Sequence, residues 1–125
     1  MEIRDVIHRF EAEFSVIADR FHIRQLAVSE AAACAEDYVA HPGVYVFWRP
    51  GGVVKVGRHL TNARKRALEH IVANTGGSMA ELITQSDARL LLFSLINPAD
   101  RHWAAAVEIY LESQLNPSVK AARLG

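Results

Sequence analysis

The chain has 125 residues, half of them apolar, and its formal net charge at pH 7 is zero. This length and composition predict a single domain over residues 1–125 and exclude a disordered chain. The sequence contains no run of about 18 apolar residues, so we expect no membrane-spanning helix, and its first residues lack the pattern of a secretory signal. The lone cysteine, Cys34, fits a reducing, cytoplasmic setting and excludes a Cys-rich zinc motif.

The neutral total conceals an uneven distribution of charge. Residues 1–40 have a net charge of −4, whereas residues 41–70 hold six basic residues and one acidic residue, a net charge of +5. Such a local concentration of positive charge is what a phosphate-backbone partner requires, so it predicts nucleic-acid binding. For Arg64 and Lys65, an ordinary solvated helix face is the alternative. The residues that we assign to the nucleic-acid interface are Arg49, Arg58, Arg64 and Lys65.

The N-terminal part of the chain predicts helices. Apolar residues at helical spacing predict an amphipathic helix over residues 2–19. This rhythm stops at residues 21–28, which form either a loop or a short extended piece. Ser29 has the character of an N-cap and begins a predicted Ala-rich helix over residues 30–39. Residues 1–40 are therefore predicted to form an N-terminal helical extension that covers one face of a sheet or makes a subunit contact.

A β-hairpin and a basic helix are predicted next. Two apolar runs, at residues 44–48 and 53–56, are joined by a segment rich in Pro and Gly, which favours a turn. Thr61 or Asn62 then caps a helix that carries three basic residues in its first turns and continues to about residue 72.

The second half of the chain predicts one further strand between two helices. Residues 78–83 begin with the pattern of a capping box and predict a short helix. Residues 88–96 are almost continuously apolar, which is typical of a central strand buried on both faces. Asn97 and Pro98 then begin a helix that continues through Leu115. The fold class predicted from these elements is α+β, with a small three-stranded sheet flanked by helices.

Short motifs follow one another in a recognisable order. Gly43-Val44-Tyr45 precedes Lys55-Val56-Gly57, and Arg66, His70 and Glu108 follow on predicted helices. This order resembles that of the GIY-YIG nuclease domain, over residues 41–117. The resemblance implies a three-stranded antiparallel or mixed sheet with the two motifs on the two strands of the hairpin. It also implies an endonuclease that hydrolyses DNA with Mg²⁺ or Mn²⁺.

The resemblance assigns catalytic roles to Tyr45, Lys55, Arg66, His70 and Glu108. Glu108 binds the metal ion, and Arg66 grips the scissile phosphate through its planar donor fork. Tyr45 is the family's candidate for accepting the proton of the attacking water, with Lys55 as a nearby cation that favours the phenolate. Lys55 is itself the base if burial and Arg66 depress its pKa. His70, one helical turn after Arg66, hydrogen-bonds Tyr45 or the phosphate.

The pattern departs from the family at three places. Lys55 stands where the second motif usually has Tyr, although some restriction-type members carry Lys there. The spacing from Lys55 to Arg66 is slightly long, which leaves Arg64 as an alternative for phosphate binding, although only Arg66 has a histidine four residues later. Lys120 stands where many members have Asn beyond the final Pro.

Two other functions are compatible with the sequence. One is a binding module that keeps the fold and has lost catalysis, a possibility that Lys55 and Lys120 leave open. The other is a helical dimerisation protein, and a homodimer through the N-terminal helices is also possible for the nuclease. The apolar face predicted for such a contact consists of Ile3, Ile7, Phe10 and Phe14.

The geometry of the site distinguishes the nuclease from the binding module. Catalysis requires Tyr45, Arg66 and Glu108 to converge on one cleft with a free site between them. The catalytic prediction fails if Glu108 is turned away or is held in an internal ion pair. A single carboxylate also favours one metal ion over two.

Overall fold

The computed structural model describes residues 1–121, in which seven regular elements form an α+β fold. The strands are β1 (Phe21–Ala27), β2 (Gly43–Arg49), β3 (Gly52–His59) and β4 (Arg89–Leu95). The α-helices are α1 (Ile3–Glu13), α2 (Ala63–Val72) and α3 (His102–Leu115). The α+β class predicted from the sequence is confirmed, and the end of the predicted single domain, residues 122–125, lies outside the described residues.

The four strands form one antiparallel sheet in the order β1-β4-β2-β3. The three-stranded count was wrong because β1 pairs with β4 along its whole length, from Phe21 opposite Leu95 to Ala27 opposite Arg89. The segment that the sequence left undecided between loop and extended piece is thus an edge strand. Its extended conformation depends on a partner far along the chain, which local sequence patterns do not report.

The predicted N-terminal helical extension is only partly helical. Helix α1 ends at Glu13, and the segment predicted as a helix over residues 30–39 forms only a short 3₁₀ helix, Val28–Ala33. The Arg64 guanidinium donates hydrogen bonds to the backbone carbonyls of Ala31 and Cys34. The end of this 3₁₀ helix is therefore held against α2 by a side chain that lies more than 30 residues later in the sequence.

Other boundaries agree with the sequence signals. Asn62 caps α2, with its side-chain oxygen accepting from the Lys65 backbone N–H at 3.0 Å. The side chain of Asn97 accepts from the Ala99 N–H at 3.0 Å, although a short 3₁₀ helix, Pro98–Asp100, precedes α3. The short helix predicted over residues 78–83 is a 3₁₀ helix, Ala80–Thr84.

The sheet has a hydrophobic core on each face. Helices α1 and α3 pack on one face, against side chains such as Val44 and Val46 of β2. Helix α2 and the short 3₁₀ segments pack on the other, against Tyr45 and Phe47 of β2. Since side chains alternate along a strand, Tyr45 faces α2. This alternation decides which helix can share a site with the first motif.

The apolar face of α1 is occupied within the chain. Phe10 is fully buried, and its ring contacts Phe21 and Phe93 at centroid distances of 5.2 and 5.0 Å. Ile3, Ile7 and Phe14 pack against the same core. A dimer contact through this face would therefore require α1 to leave the sheet. In residues 1–121 no helix combines the length and the hydropathy that crossing a membrane requires.

Replacing Phe10 by Ala tests whether α1 belongs to the folded core. The substitution leaves a cavity between α1 and the sheet, so we expect a loss of about 3–5 kcal/mol in the free energy of unfolding. Urea denaturation followed by circular dichroism measures it. Val16→Ala is the control, because Val16 is 90% exposed and its loss should change stability by less than about 0.5 kcal/mol. Equal effects of the two substitutions would contradict the packing of α1.

Candidate functional site

A cleft of about 550 Å³ opens beside the edge strand β3, and we call it the β3 cleft. All five residues with predicted catalytic roles line it: Tyr45, Lys55, Arg66, His70 and Glu108. They come from β2, β3, α2 and α3. The lining also includes Arg58, His59 and Lys120. The structure therefore brings together five predicted catalytic residues that are up to 63 positions apart in the sequence.

The pairing of β2 with β3 places the two motifs side by side. Tyr45 lies directly opposite Gly57, and Phe47 lies opposite Lys55. Opposed residues in an antiparallel pair project to the same face, so Lys55 and Tyr45 both face α2. Helix α2 brings Arg66 and His70 over this face, while Glu108 reaches the cleft from α3 on the other side of β3.

The glycines of the motifs have a packing role. A Cβ atom on Gly57 would lie 2.2 Å from the Tyr45 hydroxyl oxygen, and a Cβ on Gly43 would lie 2.2 Å from the carbonyl oxygen of Phe93. Both distances are far shorter than a van der Waals contact, so each position requires glycine. Gly57 lets the tyrosine ring lie across β3 and reach the cleft.

Tyr45 is nearly fully buried, with 2% of its surface exposed. Its ring lies 5.8 Å from that of His70, measured between centroids, and 6.1 Å from that of Phe47. Its hydroxyl end lies at the cleft, beside Gly57. The phenol is thus held rigidly at the wall of the cleft by packing on both sides.

Lys55 is the one charged residue that is buried among residues 1–121, with 5% of its surface exposed. Burial lowers the pKa of its ammonium, Arg66 lowers it further, and the carboxylates of Glu112 and Glu108 oppose the shift. Burial and Arg66 are the two conditions under which Lys55 could serve as the base. The direction of the shift therefore favours that role, and the choice between Tyr45 and Lys55 stays open.

His70 is neutral at physiological pH. Burial, followed by the positive charges of Lys55 and Arg66, lowers its pKa from 6.5 to about 4. Its Nδ1 lies 2.7 Å from the hydroxyl oxygen of Thr75, within hydrogen-bonding distance. A neutral imidazole fixed in this way can orient a neighbouring group by hydrogen bonding, whereas it cannot neutralise a phosphate by its own charge.

Arg66 and Arg64 are the two candidates for binding the phosphate, and they lie in different surroundings. Arg66 lines the β3 cleft, and its guanidinium donates to Glu69 Oε1 at 3.0 Å. This pair is about half exposed, and the hydrogen bond from Arg66 lowers the pKa of Glu69. Arg64 lies outside the cleft lining, with its guanidinium bonded to backbone carbonyls. Of these two arginines, Arg66 is the one placed to contact a phosphate in the cleft.

Glu108 faces the cleft but is paired. The Arg58 guanidinium donates to Glu108 Oε1, and the two side chains are 21% and 12% exposed. Convergence of Tyr45, Arg66 and Glu108 on one cleft, the first requirement for catalysis, is met. The Glu108 carboxylate is nevertheless held in an ion pair within the chain, which is the arrangement that counts against catalysis. The partner, however, lies in the cleft itself and not in the interior.

The remaining basic residues assigned to a nucleic-acid interface are distributed unevenly. Arg49 is paired with Glu81 at 2.8 Å, away from the cleft. Lys65 lines a smaller depression beside the β3 cleft, together with Arg66, Glu69 and His59. Arg58 lines the cleft. Their roles in DNA binding stay predictions.

Sequence reasoning did not assign roles to two residues near the cleft. Glu112 lies one turn after Glu108; its Oε1 accepts from the Ala121 N–H at 2.9 Å, and its buried Oε2 has no hydrogen-bond partner within residues 1–121. Its spacing of four from Glu108 was a signal, and it is equally typical of a solvated helix face. His59 Nδ1 accepts from the backbone N–H groups of Thr61 and Asn62, at 3.2 and 3.1 Å, and orders the turn before α2.

The donor set fits an open site for a hard divalent ion and does not fit an enclosed one. Residues 1–121 contain no group of three or more His, Cys, Asp or Glu side chains placed to hold a metal. Mg²⁺ is commonly held by one or two carboxylates, with waters and substrate phosphates completing its shell. Among residues 1–121, Glu108 is the one carboxylate in the lining of the β3 cleft, so it is the side chain that would hold such an ion there.

Comparisons of the chain with protein-family models, with curated proteins and with solved structures find no match. The resemblance to the GIY-YIG nuclease domain is therefore carried by the motif residues alone.

Gly57→Ala tests the packing of Tyr45 across β3. The added methyl group overlaps the tyrosine ring, so we expect a loss of about 1–3 kcal/mol in the free energy of unfolding. In a Tyr45→Ala background the overlap is absent, and Gly57→Ala should be less destabilising. A double-mutant cycle measured by urea denaturation gives the coupling between the two positions. Simple additivity would contradict the contact.

His70 predicts a pH dependence of stability. Its folded pKa of about 4 lies below its unfolded value of 6.5, so the unfolded chain binds a proton that the folded protein does not. The contribution is complete above pH 6.5 and is lost as the pH falls toward 4. We expect wild type to lose more stability than His70→Gln between pH 7 and about 4.5, by urea denaturation. The control is His8→Gln on exposed α1 surface, which should follow wild type; identical pH profiles for wild type and His70→Gln would contradict the shift.

Proposed function

We propose that this protein is a metal-dependent endonuclease of the GIY-YIG type that hydrolyses DNA phosphodiester bonds with Mg²⁺ or Mn²⁺. One observation carries the proposal: the five side chains to which the motif resemblance assigns catalytic roles all line the β3 cleft. The motif glycines support the proposal further, since Gly57 is required by the placement of Tyr45.

Hydrolysis of a phosphodiester requires a deprotonated water, neutralisation of the phosphate and stabilisation of the leaving oxygen. Glu108 would hold the metal ion, which when bound supplies Lewis acidity at the phosphate oxygens. Arg66 binds the scissile phosphate through its planar donor fork. His70, neutral near pH 7, orients Tyr45 or the phosphate by hydrogen bonding.

Either Tyr45 or Lys55 accepts the proton of the attacking water. A phenol has an ordinary pKa of about 10 and needs a neighbouring cation to act as a base near neutrality. Lys55 could provide that cation. Alternatively, burial of Lys55 lowers its own pKa, which increases the fraction of neutral amine available to accept a proton.

The partner proposed for the cleft is DNA, in a cytoplasmic setting. The stretch from residue 41 to 70 has a net charge of +5, and three of its basic residues, Lys55, Arg58 and Arg66, line the cleft. Lys65 lies on the neighbouring surface of α2. These charges can neutralise phosphates on both sides of the cleaved bond.

A second candidate function is a DNA-binding module without catalysis. The ion pair between Arg58 and Glu108 favours it, because a carboxylate held by an arginine is not free to bind a metal ion. The two candidates share the fold and the positive charge. They differ in whether a divalent ion reaches Glu108 and supports cleavage.

Cleavage of a supercoiled plasmid and of oligonucleotide duplexes with Mg²⁺ or Mn²⁺ distinguishes the candidates. We expect cutting by wild type, and a loss of at least about 100-fold in rate for Glu108→Gln and for Arg66→Ala, the scale seen when one transition-state contact is removed. Matched controls on exposed α1 surface are Glu11→Gln and Arg4→Ala, which should cut at the wild-type rate.

Each result has a defined meaning. Cleavage that survives in Glu108→Gln would contradict the assigned metal ligand. DNA binding without cleavage by wild type, across both metals and across single-stranded, duplex and branched substrates, would overturn the nuclease in favour of the binding module. Unchanged circular dichroism of each variant ensures that a loss of cutting reflects the site and not the fold.

A further inference from the structure

We propose that Arg58 is an exchangeable counter-ion of Glu108: a divalent cation displaces its guanidinium from the carboxylate, and the freed guanidinium then binds a DNA phosphate. The inference rests on the proposed function in one respect, that Glu108 binds the cation. The inference goes beyond the proposed function because it couples the affinity for the cation to the affinity for DNA through the Arg58 side chain. It also gives Arg58 a specific place in substrate binding.

The position of Arg58 in the sheet explains its reach. Arg58 lies opposite Val44, whose side chain is in the core between the sheet and α3. Opposed residues share a face, so Arg58 projects toward α3, on the side of the sheet opposite to Lys55. Because β3 is the edge strand, both faces of its Lys55–Arg58 end open into the same cleft. Arg58 can therefore contact Glu108 or a ligand in the cleft.

Because the ion pair is partly buried, the Glu108 carboxylate needs a cation beside it. That cation can be Arg58 or a metal ion that replaces it. The Glu108 side chain is 12% exposed, so leaving its charge without a cation would be costly. Arg58 satisfies this requirement in the protein alone. A divalent ion, with twice the charge and a preference for carboxylate oxygen, satisfies it more strongly. A guanidinium and a metal ion at the same carboxylate also repel each other.

After its release from Glu108, the Arg58 guanidinium would bind a phosphate of the DNA. Arg66 already lines the cleft, and Arg58 would add a second planar donor fork to the same phosphate-binding surface. DNA would then stabilise the arrangement in which Arg58 has left Glu108, and this is the arrangement that binds the cation. By thermodynamic linkage, DNA must raise the affinity for the cation by the same factor that the cation raises the affinity for DNA.

The first test measures Mn²⁺ binding to the protein without DNA, by electron paramagnetic resonance of the free ion. We expect Arg58→Met to bind Mn²⁺ at least about 5-fold more tightly than wild type, the lower end of typical coupling between sites. Glu108→Gln should lose this binding. Arg20→Met is the matched control, because it breaks the Arg20–Asp100 ion pair near the opposite edge of the sheet, and it should bind as wild type does.

The second test measures the coupling itself. Affinity for a short duplex is determined by fluorescence anisotropy with and without Ca²⁺, used in place of Mn²⁺ so that the DNA stays intact. We expect Ca²⁺ to tighten binding in wild type by at least about 5-fold and to have a smaller effect in Arg58→Met. A role of Arg58 in stability alone would leave this ratio unchanged. If Arg58→Met does not fold, Arg58→Gln is the second neutral variant.

The outcomes separate this inference from the proposed function. Equal Mn²⁺ affinity in wild type and in the Arg58 variants would overturn the exchange, even if Glu108→Gln abolishes cleavage and the nuclease stands. No Mn²⁺ binding by wild type or by any Arg58 variant would overturn the exchange, and together with an absence of cleavage by wild type it would overturn the nuclease as well. Tighter Mn²⁺ binding in Arg58→Met with an unchanged coupling ratio would contradict the transfer of Arg58 to the phosphate.

Discussion

The antiparallel register of β2 and β3 is the constraint on which the site depends. It places Tyr45 opposite Gly57 and Phe47 opposite Lys55, and so sets both motifs on one face beneath α2. A shift of β3 by one residue against β2 would turn Lys55 to the other face of the sheet, toward α3 and away from Tyr45. This register requires glycine at position 57, because only glycine leaves room for the Tyr45 ring there.

Beside this hairpin the protein buries a charged side chain, which is normally unfavourable. Lys55 is 5% exposed and lies within the field of Glu108, Glu112 and Arg66. A buried ammonium is tolerated when carboxylates compensate it, and strongly perturbed groups in a cleft are typical of functional sites. Burial, followed by the positive charges of Lys55 and Arg66, lowers the pKa of His70 to about 4. The proposed catalysis and the stability of the fold therefore use the same charges.

The two candidate functions make different demands on the ion pair between Arg58 and Glu108. A protein that only binds DNA has no need to release Glu108, whereas a metal-dependent nuclease must release it. The pair lies at the end of an edge strand, where side chains from both faces of the sheet meet in the cleft. With such an exchange, Arg58 would neutralise the Glu108 carboxylate until a cation and DNA are both present.

The sequence alone predicted the hairpin and strand β4 correctly and nominated the motif residues, whereas it made the first helix too long and predicted a helix over residues 30–39 that forms only in part, as 3₁₀. The hairpin, a helix cap at Thr61 or Asn62 and the buried strand β4 follow from nearest-neighbour patterns, and Tyr45, Arg66 and Glu108 follow as predicted site residues from their order along the chain. Only the tertiary structure decided that residues 21–27 form a strand, that Arg64 bonds to backbone carbonyls and that Glu108 is paired with Arg58. These contacts join residues far apart in the chain, and neither periodicity nor propensity carries information about which distant partner a side chain meets.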